Sequence, residues 1–204
     1  VNNYTEPLLA AGFNPTIFAI DVYNNRFVPS HILDDFEIVI WFTDNHWFET
    51  LTNEDRESLQ NYLDTGGNLF ISGANIGYDL NKTNSSRTFM QQTLHADFVA
   101  DAASSNSVSG IAGLSENLSF ILNTVDIDQH AYMNDVLQAF DGSAIPVFEY
   151  ASNEIAGLQI QTNNSKIIYT GFAYEAIQDP AVQEELMFRI LDWFDIPAPD
   201  LKIG

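Results

Sequence analysis

Cysteine is absent from this chain of 204 residues. That excludes disulfides, thiolate nucleophiles and cysteine-ligated metals. Basic residues are scarce, with 7 Lys and Arg against 28 Asp and Glu, a formal net charge of −21. Nucleic acid and anionic membrane surfaces need positive patches, so this field opposes both. It favours solubility in a saline or extracellular setting and offers carboxylates to cations such as Ca²⁺. No apolar run approaches the roughly 20 residues of a membrane span. The four His residues show no His-x-x-x-His spacing, which leaves a zinc site without support. No signal pattern precedes Val1, which is not an initiator Met, and the chain is expected to be a piece of a longer polypeptide.

What is present is a globular sequence, 46% hydrophobic and 13% aromatic, long enough for one large domain. Residues 4–11 predict a helix with Pro7 in its first turn and Gly12 at its stop, and residues 16–22 predict a strand. Residues 36–43 are almost continuously β-branched or aromatic, the pattern of a strand covered on both faces. Thr52, with Asp55 three residues on, opens a helix that Gly66-Gly67 ends, and residues 68–72 follow as a second buried strand. This alternation has the spacing of a βαβ unit. Further on, residues 87–94 predict a helix and residues 101–113 a loop with a short strand near Val108. Strands follow at 118–122, 144–150, 154–161 and 166–172, with an Asn163-Asn164 turn between the last two. A closing helix spans 180–194, and Pro197 and Pro199 mark a C-terminal linker, 197–204.

The most informative stretch is Gly66-Gly67-Asn68-Leu69-Phe70-Ile71-Ser72-Gly73-Ala74-Asn75-Ile76-Gly77. It predicts a strand running into a tight Gly-x-x-x-Gly turn, the place where α/β hydrolytic folds hold a nucleophile. The middle of that turn is Asn75, whose amide is no nucleophile.

Together with Val39-Ile40-Trp41-Phe42-Thr43, Leu94-His95-Ala96, Ile145-Pro146-Val147-Phe148 and Gly171-Phe172-Ala173-Tyr174-Glu175-Ala176, this order of elements resembles the class I glutamine amidotransferase-like superfamily. The closest resemblance is to cysteine-free domains of large secreted bacterial proteins, often beside peptidase modules. It implies one α/β domain over residues 1–196, a flavodoxin-like three-layer sandwich with a mainly parallel central sheet and an extra β-rich insertion at about residues 97–150. Catalytic members use Cys at the elbow, then His and Glu after a later strand. By position these fall at Asn75, at Ala173 or Tyr174, and at Glu175, so only the acid survives and glutamine hydrolysis is not expected. Such domains also open with a strand ahead of the first helix, and this chain begins at that helix.

Ligands of open α/β sheets bind at the C-terminal edge. The residues expected to converge there are Thr43, Asp44, His46 and Trp47 after one strand, Ser72, Asn75 and Asp79 after the next, and Tyr174 and Glu175 after the last. They offer carboxylates, an imidazole and aromatic faces to a carbohydrate or peptide. Ser72 stands in a strand without a Gly-x-Ser-x-Gly frame, which disfavours it as a nucleophile. Glu175 with Asp44 or Asp79 could form a carboxylate pair for glycoside chemistry. The alternating acids Asp126 and Asp128 are candidates for Ca²⁺, although the Gly and distal Glu of an EF-hand loop are missing; no other cofactor is expected. Trp47 and Phe48 form an aromatic pair suited to a contact surface. The expected function is that of a non-catalytic accessory domain of an exported bacterial protein, binding a ligand or neighbouring modules of its parent polypeptide. The alternatives are a hydrolase using a carboxylate pair or metal-activated water, and a structural spacer.

Overall fold

A computed structural model describes residues 1–20 and 27–196. Five α-helices and four strands define its layers at the outset: α1 (Asn2–Ala10), α2 (Ser30–Leu33), β1 (Ile38–Phe42), α3 (Asn53–Asp64), β2 (Asn68–Ser72), α4 (Ile76–Leu80), α5 (Asn84–Gln92), β3 (Ala96–Ala100) and β4 (Ser107–Gly110). Then come β5 (Ser119–Ile121), β6 (Val136–Ala139), β7 (Ala144–Tyr150), β8 (Ile155–Gln161), β9 (Lys166–Thr170) and α6 (Pro180–Trp193). The nine strands form one sheet in the order β1-β2-β9-β8-β7-β4-β5, and β6 branches from β8 to carry β3.

The expected mainly parallel sheet is corrected here, because the sheet is mixed. β1, β2 and β9 are parallel to one another, while every other pairing is antiparallel. The reason lies in the connections. The turns from β7 to β8 and from β8 to β9 are too short for a crossover, and such turns join only antiparallel neighbours. Residues 97–150 supply most of this antiparallel half. Two of its strands, β3 and β6, lie in stretches that the sequence pattern did not mark as strands. Residues 16–20, expected to begin a strand, pair with no strand, and residues 21 and 22 lie outside the described residues. The expected linker at 197–204 also lies outside them.

The sheet is covered on both faces, as an α/β sandwich requires. Along β2, Leu69 and Ile71 join the apolar cluster under α3 and α5, while Phe70 joins the cluster under α1 and α6. β9 repeats the alternation with Ile167 and Tyr169 on one side and Ile168 on the other. All six are fully buried. The aliphatic and Phe side chains among them are worth about 1.5–3 kcal/mol each in apolar burial.

α3 shows how local sequence fixes an element. Thr52 accepts from the Asp55 amide at 3.2 Å, and the Asp55 carboxylate accepts from the Thr52 amide at 2.9 Å, completing the capping box read from the sequence. Near the other end of the helix, the buried Tyr62 hydroxyl accepts from the Asn68 amide and sits 3.1 Å from the carbonyls of Phe36 and Asn68. One side chain thus ties α3 to the start of β2 and to the approach to β1. Tyr62→Phe leaves the packing in place and strands these backbone groups. It is expected to lower unfolding stability by about 1–3 kcal/mol, read as a shifted midpoint in urea with an unchanged slope.

Candidate functional site

The parallel strands β1, β2 and β9 bring their C-terminal ends to one edge. At that edge the turn after β2 opens α4, and the two glycines of the Gly-x-x-x-Gly motif are needed there for close approach. A Cβ at residue 73 would come within 2.1 Å of Thr43 Oγ1, and one at residue 77 within 3.0 Å of Asp135 Oδ2. Asn75 has φ −131° and caps α4 without a side-chain bond to it. Asp44, just past the end of β1, has left-handed backbone with φ 52°. Asp tolerates that conformation better than most side chains.

The polar atoms at this edge are largely engaged with one another. Asn75 Nδ2 donates to the carbonyl and Oδ1 of Asn45, both at 3.2 Å. Fully buried Ser72 donates to the Phe172 carbonyl at 3.1 Å and accepts from the Tyr174 amide at 2.8 Å, a strut between the ends of β2 and β9. Asp79 accepts from the Thr50 amide at 2.8 Å, the Thr50 hydroxyl at 3.0 Å and Lys82 at 2.9 Å. Tyr174 points into the core, tilted against Tyr4 and edge-on to Phe70, with its hydroxyl donated to the Gln183 carbonyl. His46 is exposed.

Two further contacts shape the edge. Tyr4 of α1 donates to Glu175 Oε2 at 2.5 Å, and Tyr132 donates to Asp44 Oδ1 at 2.6 Å. Burial pushes the Glu175 carboxyl up to about 7, against the pull of the Tyr4 hydrogen bond, and the charge of Asp44 adds to the rise. Burial, and next the charge of Glu175, hold the Tyr4 hydroxyl in its protonated, donating form. Tyr132 is likewise raised, by burial first and by Asp44 second.

The residues around 122–132 fold over this edge. Val125 and Ala131 bridge, and Asn45 Nδ2 reaches Asp126 Oδ2 at 3.0 Å and the Ala131 carbonyl at 3.1 Å. Asp126 Oδ1 accepts from the amides of Asp128 and His130, both at 2.9 Å, so this carboxylate organises its own loop. Among the described residues, no cluster of three or more His, Asp or Glu is arranged to hold a metal ion. Beside the edge, Trp47 is 62% and Phe48 51% exposed. Lys82 Nζ lies 5.4 Å from the Trp47 ring, 5.9 Å from Phe48 and 4.4 Å from Tyr78.

The fold thus brings Asp44, Asn75 and Glu175 to one neighbourhood, as the strand order implied. It directs Ser72, Asp79 and Tyr174 into internal bonds, and it leaves His46 and Trp47 on the surface. Four residues at the site carried no sequence signal. Tyr4 sits 171 positions from its partner Glu175, Asn45 and Tyr132 lie in loops, and buried Asp135 accepts from the amides of Gly77 and Tyr78 at 2.6 and 3.2 Å. A buried Asp aligned on the first amides of a short helix shows in sequence only as one acid among many.

No protein-family model matches the chain, and no curated protein sequence matches it. Solved structures do match, and what they share with this chain is an α/β fold. A ThuA-like protein of Bacteroides uniformis aligns at 14% identity and TM-score 0.60, over 95% of this chain and 81% of that one. A cytoplasmic protein of Salmonella typhimurium aligns at 12% and TM-score 0.61, over 93% of this chain and 84% of its own. A Thermoplasma acidophilum protein named for GMP synthase aligns at 12% and TM-score 0.51, over 83% and 80%. At such identities the likeness is one of fold.

The raised Glu175 has a consequence for stability. Between its ordinary 4.5 and about 7, the folded chain keeps a proton that the unfolded chain has released. This contribution is complete below pH 4.5 and is lost as the pH rises through 7, by at most about 3 kcal/mol. Glu175→Gln is expected to flatten the fall in melting temperature between pH 4.5 and 7, measured by calorimetry. Ser72→Ala removes both bonds of the strut, and is expected to destabilise the fold by about 2 kcal/mol in urea titration without changing that pH slope.

Proposed function

We propose that this chain is a non-catalytic accessory domain that positions a ligand or a neighbouring module of its parent polypeptide. The observation that carries this reading is the commitment of the elbow. Asn75, where the resemblance implies a sulfur nucleophile, has its amide bonded to Asn45. The adjacent hydroxyl, Ser72, is a buried strut with no base beside it. Nucleophilic catalysis needs a nucleophile and base within hydrogen-bond reach, and the elbow offers neither. The contact surface in this proposal is the exposed Trp47–Phe48 pair with Lys82 against it, a platform suited to a sugar face or an aromatic peptide side chain. The strong negative charge agrees with a secreted or cell-surface setting, and the cysteine-free domains of large secreted bacterial proteins are the relatives this reading favours. The flavodoxin-like arrangement belongs to the same reading, limited to the parallel part of the sheet. No cofactor is required; Ca²⁺ at Asp126 and Asp128 would be a structural addition.

A second reading is favoured by one observation. Glu175, with its carboxyl raised to about 7 by burial first and by nearby Asp44 to a lesser extent, is a proton-holding acid beside a second carboxyl, and general acid–base hydrolysis uses such a pair. One experiment separates the two. Purified protein is assayed for turnover of glutamine and of aryl glycosides, and its melting temperature is followed with oligosaccharides, peptides and Ca²⁺. The positioning role predicts no turnover above blank, and at least one oligosaccharide or peptide whose thermal shift disappears in Trp47→Ala. Turnover that is abolished by Glu175→Gln would replace it with the hydrolase, and a flat thermal screen would remove the binding role.

A further inference from the structure

In a chain with few cations, one of them is enclosed by a set of groups that suit an ammonium. Lys82 follows α4, and its Nζ lies over the Tyr78 ring at 4.4 Å, Trp47 at 5.4 Å and Phe48 at 5.9 Å. It also donates to Asp79 Oδ1 and to the Trp47 carbonyl, both at 2.9 Å. Three aromatic rings, a carboxylate and a carbonyl thus converge on one ammonium. A ring face attracts a cation electrostatically, and several rings around one point are how proteins select ammonium ligands.

The walls of this enclosure have supports of their own. Asp79 Oδ2 is fixed by the amide and hydroxyl of Thr50 at 2.8 and 3.0 Å, which leaves Oδ1 for the cation. Tyr78 sits on α4, its amide bonded to buried Asp135 at 3.2 Å and its ring edge-on to Phe98 with centroids 6.3 Å apart. Trp47 and Phe48 lean on each other at 6.3 Å between centroids. Their loop is bracketed by two left-handed residues, Asp44 at φ 52° and Glu49 at φ 48°, a backbone that side chains other than glycine adopt uncommonly and at a cost. Lys82 is the loose part. Its side chain is 34% exposed, in an i,i+3 pair with Asp79. Such a pair is held weakly, because ordering a long lysine side chain offsets most of the attraction. When Lys82 swings out, Asp79 Oδ1 has no donor left among the described residues, and the exposed rings of Trp47 and Phe48 lose their cation. An ammonium from elsewhere restores both contacts.

We propose that Trp47, Phe48, Tyr78 and Asp79 form a receptor for a lysine side chain of a partner polypeptide, and that Lys82 is its built-in occupant, displaced when the partner binds. The proposal rests on the positioning reading, uses the same Trp47–Phe48 pair, and names the group that the pair takes. A lysine is the guest because the site already holds one: its acceptors, Asp79 Oδ1 and the Trp47 carbonyl, bond a compact ammonium with rotatable N–H donors, and its rings flank that head group. The partner is a polypeptide because the field of a chain with formal net charge −21 draws basic segments towards it and raises their rate of encounter. Displacement makes the contact selective, since a guest must outcompete a tethered lysine for the same atoms.

The test titrates the full chain by calorimetry with a lysine capped as Nα-acetyl methylamide. The capped norleucine, which has the same stem without the charge, and n-butylammonium serve as controls. Lys82→Ala is expected to bind the capped lysine about 10-fold or more tightly than the unchanged chain, because the competing side chain is gone. Adding Trp47→Ala to Lys82→Ala is expected to remove most of that gain, and the capped norleucine is expected not to bind. In the unchanged chain the capped lysine is expected to shift the Trp47 indole N–H resonance, a readout that needs no variant. Equal affinity of the unchanged chain and Lys82→Ala would overturn the proposal, as would affinity indifferent to Trp47→Ala or an indole resonance that does not move. n-Butylammonium that binds as tightly as the capped lysine would overturn the polypeptide source. An oligosaccharide thermal shift that is lost in Trp47→Ala, with no lysine binding, would sink this proposal alone and leave the positioning reading standing.

Discussion

Every peptide group taken out of water in this fold must find a partner, and β2 is where that constraint is met most completely. Asn68–Ser72 lies between β1 and β9 with parallel partners on both sides. From Leu69 to Ser72 it is buried, with Leu69 and Ile71 in one apolar cluster and Phe70 in the other. A strand in that position holds its neighbours in register. β1 takes its alignment from it, β9 takes the other side, and the turn that leaves it fixes where α4 begins. The Ser72 hydroxyl extends the same constraint past the last ladder bond by joining the Phe172 carbonyl and the Tyr174 amide.

The character of the C-terminal edge follows from the same requirement. A hydroxyl or carboxamide buried there is held in one orientation by its bonds, and an atom so held is a structural member. Ser72 and Asn75 are each in that condition, and the half-buried Asp79 carboxylate is held by Thr50 and Lys82. Glu175 differs. It is partly buried with a single strong donor, Tyr4, and burial outweighs that donor. The result is a carboxyl raised to about 7, in a chain whose other acids mostly sit in water.

Much of the fold was legible in the sequence, and the boundary of legibility is physical. Residues 36–43 read as a strand from their nearly continuous β-branched and aromatic composition, and residues 68–72 from an apolar run framed by glycines. Thr52 and Asp55 read as a helix start because a capping box is a local interaction. The direction of the sheet's second half was readable in principle from the Asn163-Asn164 turn, since so short a link between strands admits only antiparallel neighbours. β3 and β6 were not legible. They carry ordinary mixed sequence and become strands through each other and through β8.

By itself the sequence determined what chemistry this molecule lacks and where its central strands fall. The atoms of a nucleophile are either encoded or absent, and hydrophobic period is a property of neighbouring residues. Tertiary structure alone decided which polar groups meet: Tyr4 with Glu175, Tyr132 with Asp44, Asn45 with Asn75 and Asp126. Those pairs are set by the packing of α1 and of the residues around 122–132 against the strand ends, over separations that no local pattern records. It also decided that β1, hydrophobic enough for the middle of a sheet, stands at an edge among the described residues. Hydrophobicity states that a strand should be covered, and only the assembled neighbours determine whether it is.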